Sequence, residues 1–332
     1  MANVKCLRRQ LCLIASVVLV FSLLNASIYI LFTRRLSNNF GGADGYKMVD
    51  VSRYLPHTDG SELESVETDF VLHGELPVLD GAAALVPVYA AVVDTLYPKG
   101  SVTYEGGVFS DDNPRGENFA NDSKMQYKNT VRGYKAVVDG ETDILFCAAP
   151  SEEQIQYAKE QGVELVYVPI GLEAFVFFVN RNNPVDGLDA EQVRKIYSGE
   201  YTSWSQVGGA RRLINPVTRL EGSGSQSAMN GFMGDTSIAD KSFFAPFGAS
   251  IGFSFRYYLD GMVEDEGVKM LSINGVYPST DNIKNGTYPI VARFYAVYRA
   301  DNENENVKAL IEWLLTEEGQ TLIEKNGYVG IH

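Results

Sequence analysis

Arg219-Leu220-Glu221-Gly222-Ser223-Gly224-Ser225-Gln226 sets one fixed positive charge four residues before a Gly/Ser turn. Met229, Phe232 and Met233 follow at helical spacing, so the turn feeds an amphipathic helix. Small residues let a backbone approach a ligand closely. Hydroxyls at a helix start add donors to its free N–H groups, and the helix dipole favours an anion there. Arg219 adds a forked, permanent charge. Together these features suit a tetrahedral oxyanion. A P-loop is excluded because no Lys follows the glycines, and Gly-x-Ser-x-Gly is absent. The plain alternative is a Ser-capped helix after a flexible turn.

Outward from this run, strand-like and helix-like segments alternate. Leu85, Val88, Tyr89, Val92 and Leu96 fall on one helical face, with Pro87 tolerable only in the first turn. Thr130 is placed to cap a second helix carrying Val131, Tyr134 and Val138. Residues 143–147, 164–168, 173–180, 268–273 and 288–298 read as strands. Asp189 precedes a helix with Val193, Ile196 and Tyr197 on one face. Val307, Leu310, Ile311, Leu314 and Leu315 mark another, with Gly319 as its break. The alternation predicts an α/β architecture, in which ligands sit where strands end and helices begin. Three loops have that context: Asp80 to Ala84, Lys128 to Val131, and Glu221 to Gln226. Their convergence would surround one anion with helix N-termini.

The chain has 332 residues, 45% hydrophobic and 21% charged, enough for a large core divided into two lobes. The net charge is −14; the first 35 residues contribute +5, so the remainder carries −19. Such a body repels nucleic acid. It also repels anions at long range, so an anion site must rely on close hydrogen bonds and a local arginine. Cys6, Cys12 and Cys147 form no metal-ligand pattern, and His57, His73 and His332 are scattered. No metal or cofactor is expected. Arg256, Arg293, Trp204 and Trp313 read as structural residues.

Residues 11–33 are nearly continuous apolar sequence, with Lys5, Arg8 and Arg9 before them and Arg34 and Arg35 after. That length spans a hydrocarbon core of roughly 30 Å. Asn25-Ala26-Ser27 is a poor cleavage site, so an uncleaved transmembrane signal anchor after a basic segment, residues 1–10, is favoured over a cleaved signal. Residues 34–75, rich in Gly, Ser, Asn and acids, read as a flexible acidic linker.

Several ordered blocks resemble the phosphate-specific substrate-binding proteins of ABC transporters, which share the two-lobed periplasmic-binding-protein fold. They include Leu79-Asp80-Gly81 with Pro87-Val88-Tyr89, and Ala149-Pro150-Ser151-Glu152-Glu153-Gln154. They continue with Ile196-Tyr197-Ser198-Gly199, Trp204 to Gly209, the Arg219 to Gln226 run, Ile251-Gly252-Phe253-Ser254-Phe255 and Asn326-Gly327-Tyr328-Val329. The resemblance covers about Pro77 to Val329. It implies a first lobe over 76–169, a second over 170–280, a return to the first over 281–332, and a ligand cleft between them. It also implies inorganic phosphate or a related oxyanion as ligand and an ABC permease as partner. The anchor at residues 11–33, in an N-in orientation, makes the chain a single-pass membrane protein with its body outside the cytoplasm.

By the same resemblance, Arg219, Ser223, Gly224 and Ser225 contact the ligand, with Thr130 a looser match and Ala83 and Ala84 supplying backbone N–H groups. Two positions depart from the family. Its first loop carries hydroxyls where this chain has Gly81-Ala82-Ala83-Ala84. A lost donor to a charged oxygen costs about 1.5–3 kcal/mol, roughly ten- to a hundredfold in affinity. Its proton-accepting carboxylate, which separates hydrogen phosphate from sulfate, has no counterpart in Phe146-Cys147-Ala148-Ala149-Pro150. Glu221 is a further acid in the right loop, though more naturally turned to solvent. A sensor or scaffold with a degenerate anion site is therefore the second reading. Enzymatic action is disfavoured because no His lies in the three loops to activate a serine.

Overall fold

A computed structural model describes residues 14, 16–28, 49–106, 119–240, 248–263 and 267–331. The chain divides into two units, Met1–Gly45 and Tyr46–His332. In the first, residues 16–28 form a helix, α1, with exposed apolar side chains. The expected membrane span of residues 11–33 is not shown: its two ends lie outside the described residues. Among those described, no helix is long and apolar enough to cross a membrane. At 1.5 Å per residue, the described residues 16–28 cover about 20 Å.

The second unit is built on a mixed sheet. Its strands are β1 (Leu79–Gly81), β2 (Ile144–Ala148), β3 (Leu165–Asn180), β5 (Ile214–Pro216), β6 (Ala249–Phe255), β7 (Val268–Met270) and β9 (Val291–Arg299). The order is β1-β2-β9-β3-β6-β5, with β7 also paired to β3. A short pair, β4 (Gly187–Leu188) and β8 (Ser272–Ile273), stands apart. β1–β2 and β5–β6 are parallel; the pairs of β3 with β6, β7 and β9 are antiparallel.

Two strands expected at residues 164–168 and 173–180 are one. β3 runs through Pro169-Ile170-Gly171 by a register shift. The shift absorbs the proline, which cannot donate to a ladder. A Cβ on Gly171 would lie 2.1 Å from the Phe294 ring, so glycine lets β9 close over the shift. The first half of β3 pairs with β9 and the second with β6 and β7. One strand thereby serves two halves of the body.

Each half has its own core. The first holds β1, β2 and the helices α2 (Val86–Leu96), α8 (Glu305–Leu314) and α9 (Glu317–Lys325). α2 is apolar almost all round and correspondingly buried, with Pro87 in its first turn. The second half packs Phe175, Phe177, Phe253 and Tyr197 against α5 (Ala190–Tyr197) and α6 (Gly224–Met233). Asp189 caps α5 through a capping box with Gln192. Outside β2 lie α3 (Asn129–Asp139), which ends on left-handed Gly140, and α4 (Glu152–Glu160).

Three further expectations are corrected. Residues 49–75 are not free linker: Val51 and Tyr54 are buried in the first core, and Phe70 stacks on Trp313. Apolar side chains spaced through an acidic stretch find grooves there; residues 34–48 lie outside the described residues. The short helix α7 (Thr280–Lys284) still belongs to the second half, since Ile283 and Tyr288 pack in its core. The return begins with β9. Gly319 is no break; it sits in the first turn of α9, capped by Thr316, with Trp313 and Leu314 backbone too close for a side chain.

Candidate oxyanion site

The first loop leaves β1 at Gly81 and turns through a 3-10 segment, Ala83–Leu85. Ala82 N donates to Phe146 O at 2.8 Å, which fixes the loop beside the end of β2. Ala83 N points to Asn129 Oδ1 at 3.5 Å, and Thr130 N donates to the same oxygen at 2.8 Å. The start of α3 therefore stands against the first loop. Thr130 is not the cap. The capping position is Lys128, Asn129 takes a left-handed φ of 63°, and Thr130 lies buried in the first turn. Asn tolerates that conformation better than most residues.

The start of α6 meets the same place. A Cβ on Gly224 would lie 3.5 Å from Ala148 Cβ and 3.7 Å from Thr130 Oγ1. Gly222, with φ 77°, packs against Val131, and its carbonyl accepts from Gln154 Nε2 at 3.1 Å. Ser223 is the α6 cap: its Oγ accepts from Gln226 N at 3.2 Å, so that oxygen serves the helix, leaving the hydroxyl hydrogen to donate. Ser225 lies half-buried in the first turn. Three helix starts and the end of β2 thus converge, bringing Ala83, Thr130, Gly224 and Ala148 together. No acidic side chain occupies the first turn of α3 or of α6.

Arg219 is anchored to α6: its backbone N donates to Gln226 Oε1 at 2.9 Å. Its guanidinium lies 6.0 Å from the Tyr258 ring centroid, at the edge of cation–π range. It also lines a cavity of about 550 Å³ with Glu221, Gln226 and Asn230, and that cavity includes none of Ala83, Thr130, Ser223, Gly224 and Ser225. Glu221 is exposed and accepts from Asn230 Nδ2 at 2.8 Å, turned along its own helix.

Two residues overlooked in the sequence shape the site. Asn129 aligns the first loop with α3 through its side-chain carbonyl. Asp80, fully buried, accepts from Gly81 N at 2.7 Å and Lys128 N at 2.9 Å. Burial pushes its carboxyl up to about 6, against the opposing pull of those two N–H groups and of the Lys128 and Arg132 charges. The only local signals were an acid before a glycine at a strand end and an Asn before a helix. Cys147, next to Ala148, is buried, and burial pushes its thiol up to about 12, where it is inert. Among the described residues, no group of His, Cys, Asp and Glu could hold a metal ion.

Arg256 is structural, as expected, and forms a buried salt bridge. Its Nε lies 3.3 Å from Glu173 Oε1, both side chains are buried, and its Nη2 donates to Gly327 O. The pair sits where β3 passes from β9 to β6.

Residues 116–318 match a family model described as a PBP superfamily domain. Protein SphX of Synechococcus elongatus is 26% identical over 293 residues, covering 76% of this chain and 86% of that protein. The phosphate-binding protein PstS of Borreliella burgdorferi is 24% identical over 234 residues, covering 64% and 81%. Among solved structures, a putative phosphate ABC transporter substrate-binding protein with bound phosphate from Clostridium perfringens superposes with a TM-score of 0.54 at 24% identity. That match covers 76% of this chain and 98% of the other, and shows a shared fold.

Proposed function

The chain belongs to the PBP superfamily, and from that premise we propose that it is an extracytoplasmic receptor that captures inorganic phosphate for uptake by an ABC transporter. One observation carries the reading: the starts of α3 and α6 and the first loop meet beside Ala148, within van der Waals reach of one another. The first-turn N–H groups of α6 at Gly224 and Ser225 and the Thr130, Ser223 and Ser225 hydroxyls supply close donors to an oxyanion, Ala83 N and Thr130 N being turned to Asn129 Oδ1, and Arg219 adds charge at the rim. The relatives named as phosphate-binding proteins support the choice of phosphate. Capture requires no bond to be made or broken, so no catalytic group is assigned. The apolar, basic-flanked segment 11–33 tethers the receptor to the membrane in this reading.

A sensor or scaffold role is the second reading. Alanine at 82–84 and at 148 favours it, because these four residues offer no side-chain donor or acceptor. Calorimetric titration of the full chain with phosphate, and then sulfate, separates the two. Capture predicts saturable phosphate binding that Arg219→Ala weakens by about tenfold or more. No phosphate heat from folded protein would establish the second reading instead.

A further inference from the structure

Asp80 is the buried charge that the oxyanion site leaves unexplained. Its Oδ1 accepts from Gly81 N and Lys128 N, the groups that open the first loop and the turn into α3. One oxygen thus ties two walls of the site together. Its Oδ2 is buried without a hydrogen-bond partner. Gly133, one turn into α3, packs beside it: a Cβ there would stand in ordinary contact, 3.6 Å from both Cγ and Oδ2, and would clash instead with Leu145 Cδ1 at 2.7 Å. The groups acting on the carboxyl come from each neighbouring element. α3 and its entry turn contribute the Lys128 and Arg132 cations. α2 contributes Tyr89, whose hydroxyl is also buried without a partner, and the strand-to-helix connection contributes Tyr127. The Lys128 ammonium is itself drawn to Glu141 at 2.9 Å.

A negative charge behind a helix N-terminus and an anion in front of it compete for the same dipole. An ionised carboxylate with one buried, unpartnered oxygen is costly, whereas a proton on that oxygen leaves the bonded one free to accept as before. We propose that Asp80 is a positioning residue of the oxyanion site that also sets its charge: Oδ1 holds the first loop and α3 in register, and protonation of Oδ2 accompanies anion capture. The inference rests on the phosphate reading above. Its sign is fixed. A bound anion disfavours the ionised carboxyl, so capture takes up a proton, and affinity falls as pH rises through about 6. One like charge in a partly screened interior changes affinity on the order of tenfold.

The test is calorimetric titration of the full chain and its Asp80→Asn variant with inorganic phosphate. Measurements on either side of the Asp80 midpoint of about 6 use buffers of different ionisation heat. Phosphate titrates in the same range, so the comparison is between two proteins with one ligand. The wild type should take up more protons than the variant, and its affinity should fall about tenfold more steeply with pH. Equal proton uptake and equal pH slopes in two binding-competent proteins would overturn the inference and leave phosphate capture standing. A measurement without the variant keeps the test open if Asp80→Asn fails to fold. The Asp80 carboxyl signal, titrated by carbon NMR, should show a higher midpoint with saturating phosphate. An unmoved midpoint overturns the inference. Absence of phosphate binding at every pH overturns the phosphate reading, and this inference with it.

Discussion

At residue scale, the Ser223 and Ser225 hydroxyls of the candidate site stand at the start of α6, while Asp80 and Asn129 hold the first loop against α3. The Gly/Ser run at 222–225 is legible because backbone freedom and helix capping are local properties. Asp80 is not, because its burial depends on α2 and α3 closing over β1. Its raised carboxyl has a consequence for stability. The native state holds that proton more tightly than the unfolded chain, so stability falls as pH rises from 3.8 through about 6. The difference in proton affinity between the two states corresponds to about 3 kcal/mol at most. Denaturation curves of wild type and Asp80→Asn at several pH values should diverge in that window and run parallel above it. The first-loop alanines give a second prediction at this scale. Ala83→Ser restores a hydroxyl beside Thr130 and should tighten phosphate binding by about tenfold. Unchanged affinity would mean that the loop does not face the ligand.

At element scale, periodicity located several helices, since their apolar faces are written locally, but it missed α4 and α9. α2, α5 and α8 fall where the spacing of Leu85 to Leu96, Val193 to Tyr197 and Val307 to Leu315 puts them. Strand continuity was hidden. Pro169 and Gly171 read as punctuation, and only β9 on the far side makes them a bulge inside β3. The stretch at 49–75 was misread for a related reason: acidic composition masked apolar residues whose partners lie hundreds of positions away. Trp313 Nε1 lies 3.2 Å from Thr68 Oγ1, and Asn326 Nδ2 donates to Glu64 O at 2.8 Å. Tyr54→Ala should therefore cost about 3 kcal/mol in urea denaturation, as loss of a buried aromatic does. A free linker would tolerate it.

At the scale of the whole molecule, two cores share β3, and the buried Glu173–Arg256 pair stands at the passage between them. Burial raises the Glu173 carboxyl, while Arg256 and the Ala174 and Tyr257 N–H groups pull it down. Removing one member strands the other without its counter-charge, so Glu173→Gln should destabilise the body by about 3 kcal/mol or more. A neutral result would show that the junction carries little of the fold's stability. The mixed α/β plan was legible because family blocks run in order along the chain. The position of the return was not, because α7 packs by contacts formed only after folding.

Helix starts distant in sequence must share one anion if this chain is a phosphate receptor. Backbone amide NMR of the full chain under phosphate titration tests that sharing most directly. The Ala83, Thr130, Gly224 and Ser225 amides should shift together, with one common affinity. Phosphate shifts confined to one helix start, or absent from all of them in folded protein, would contradict it.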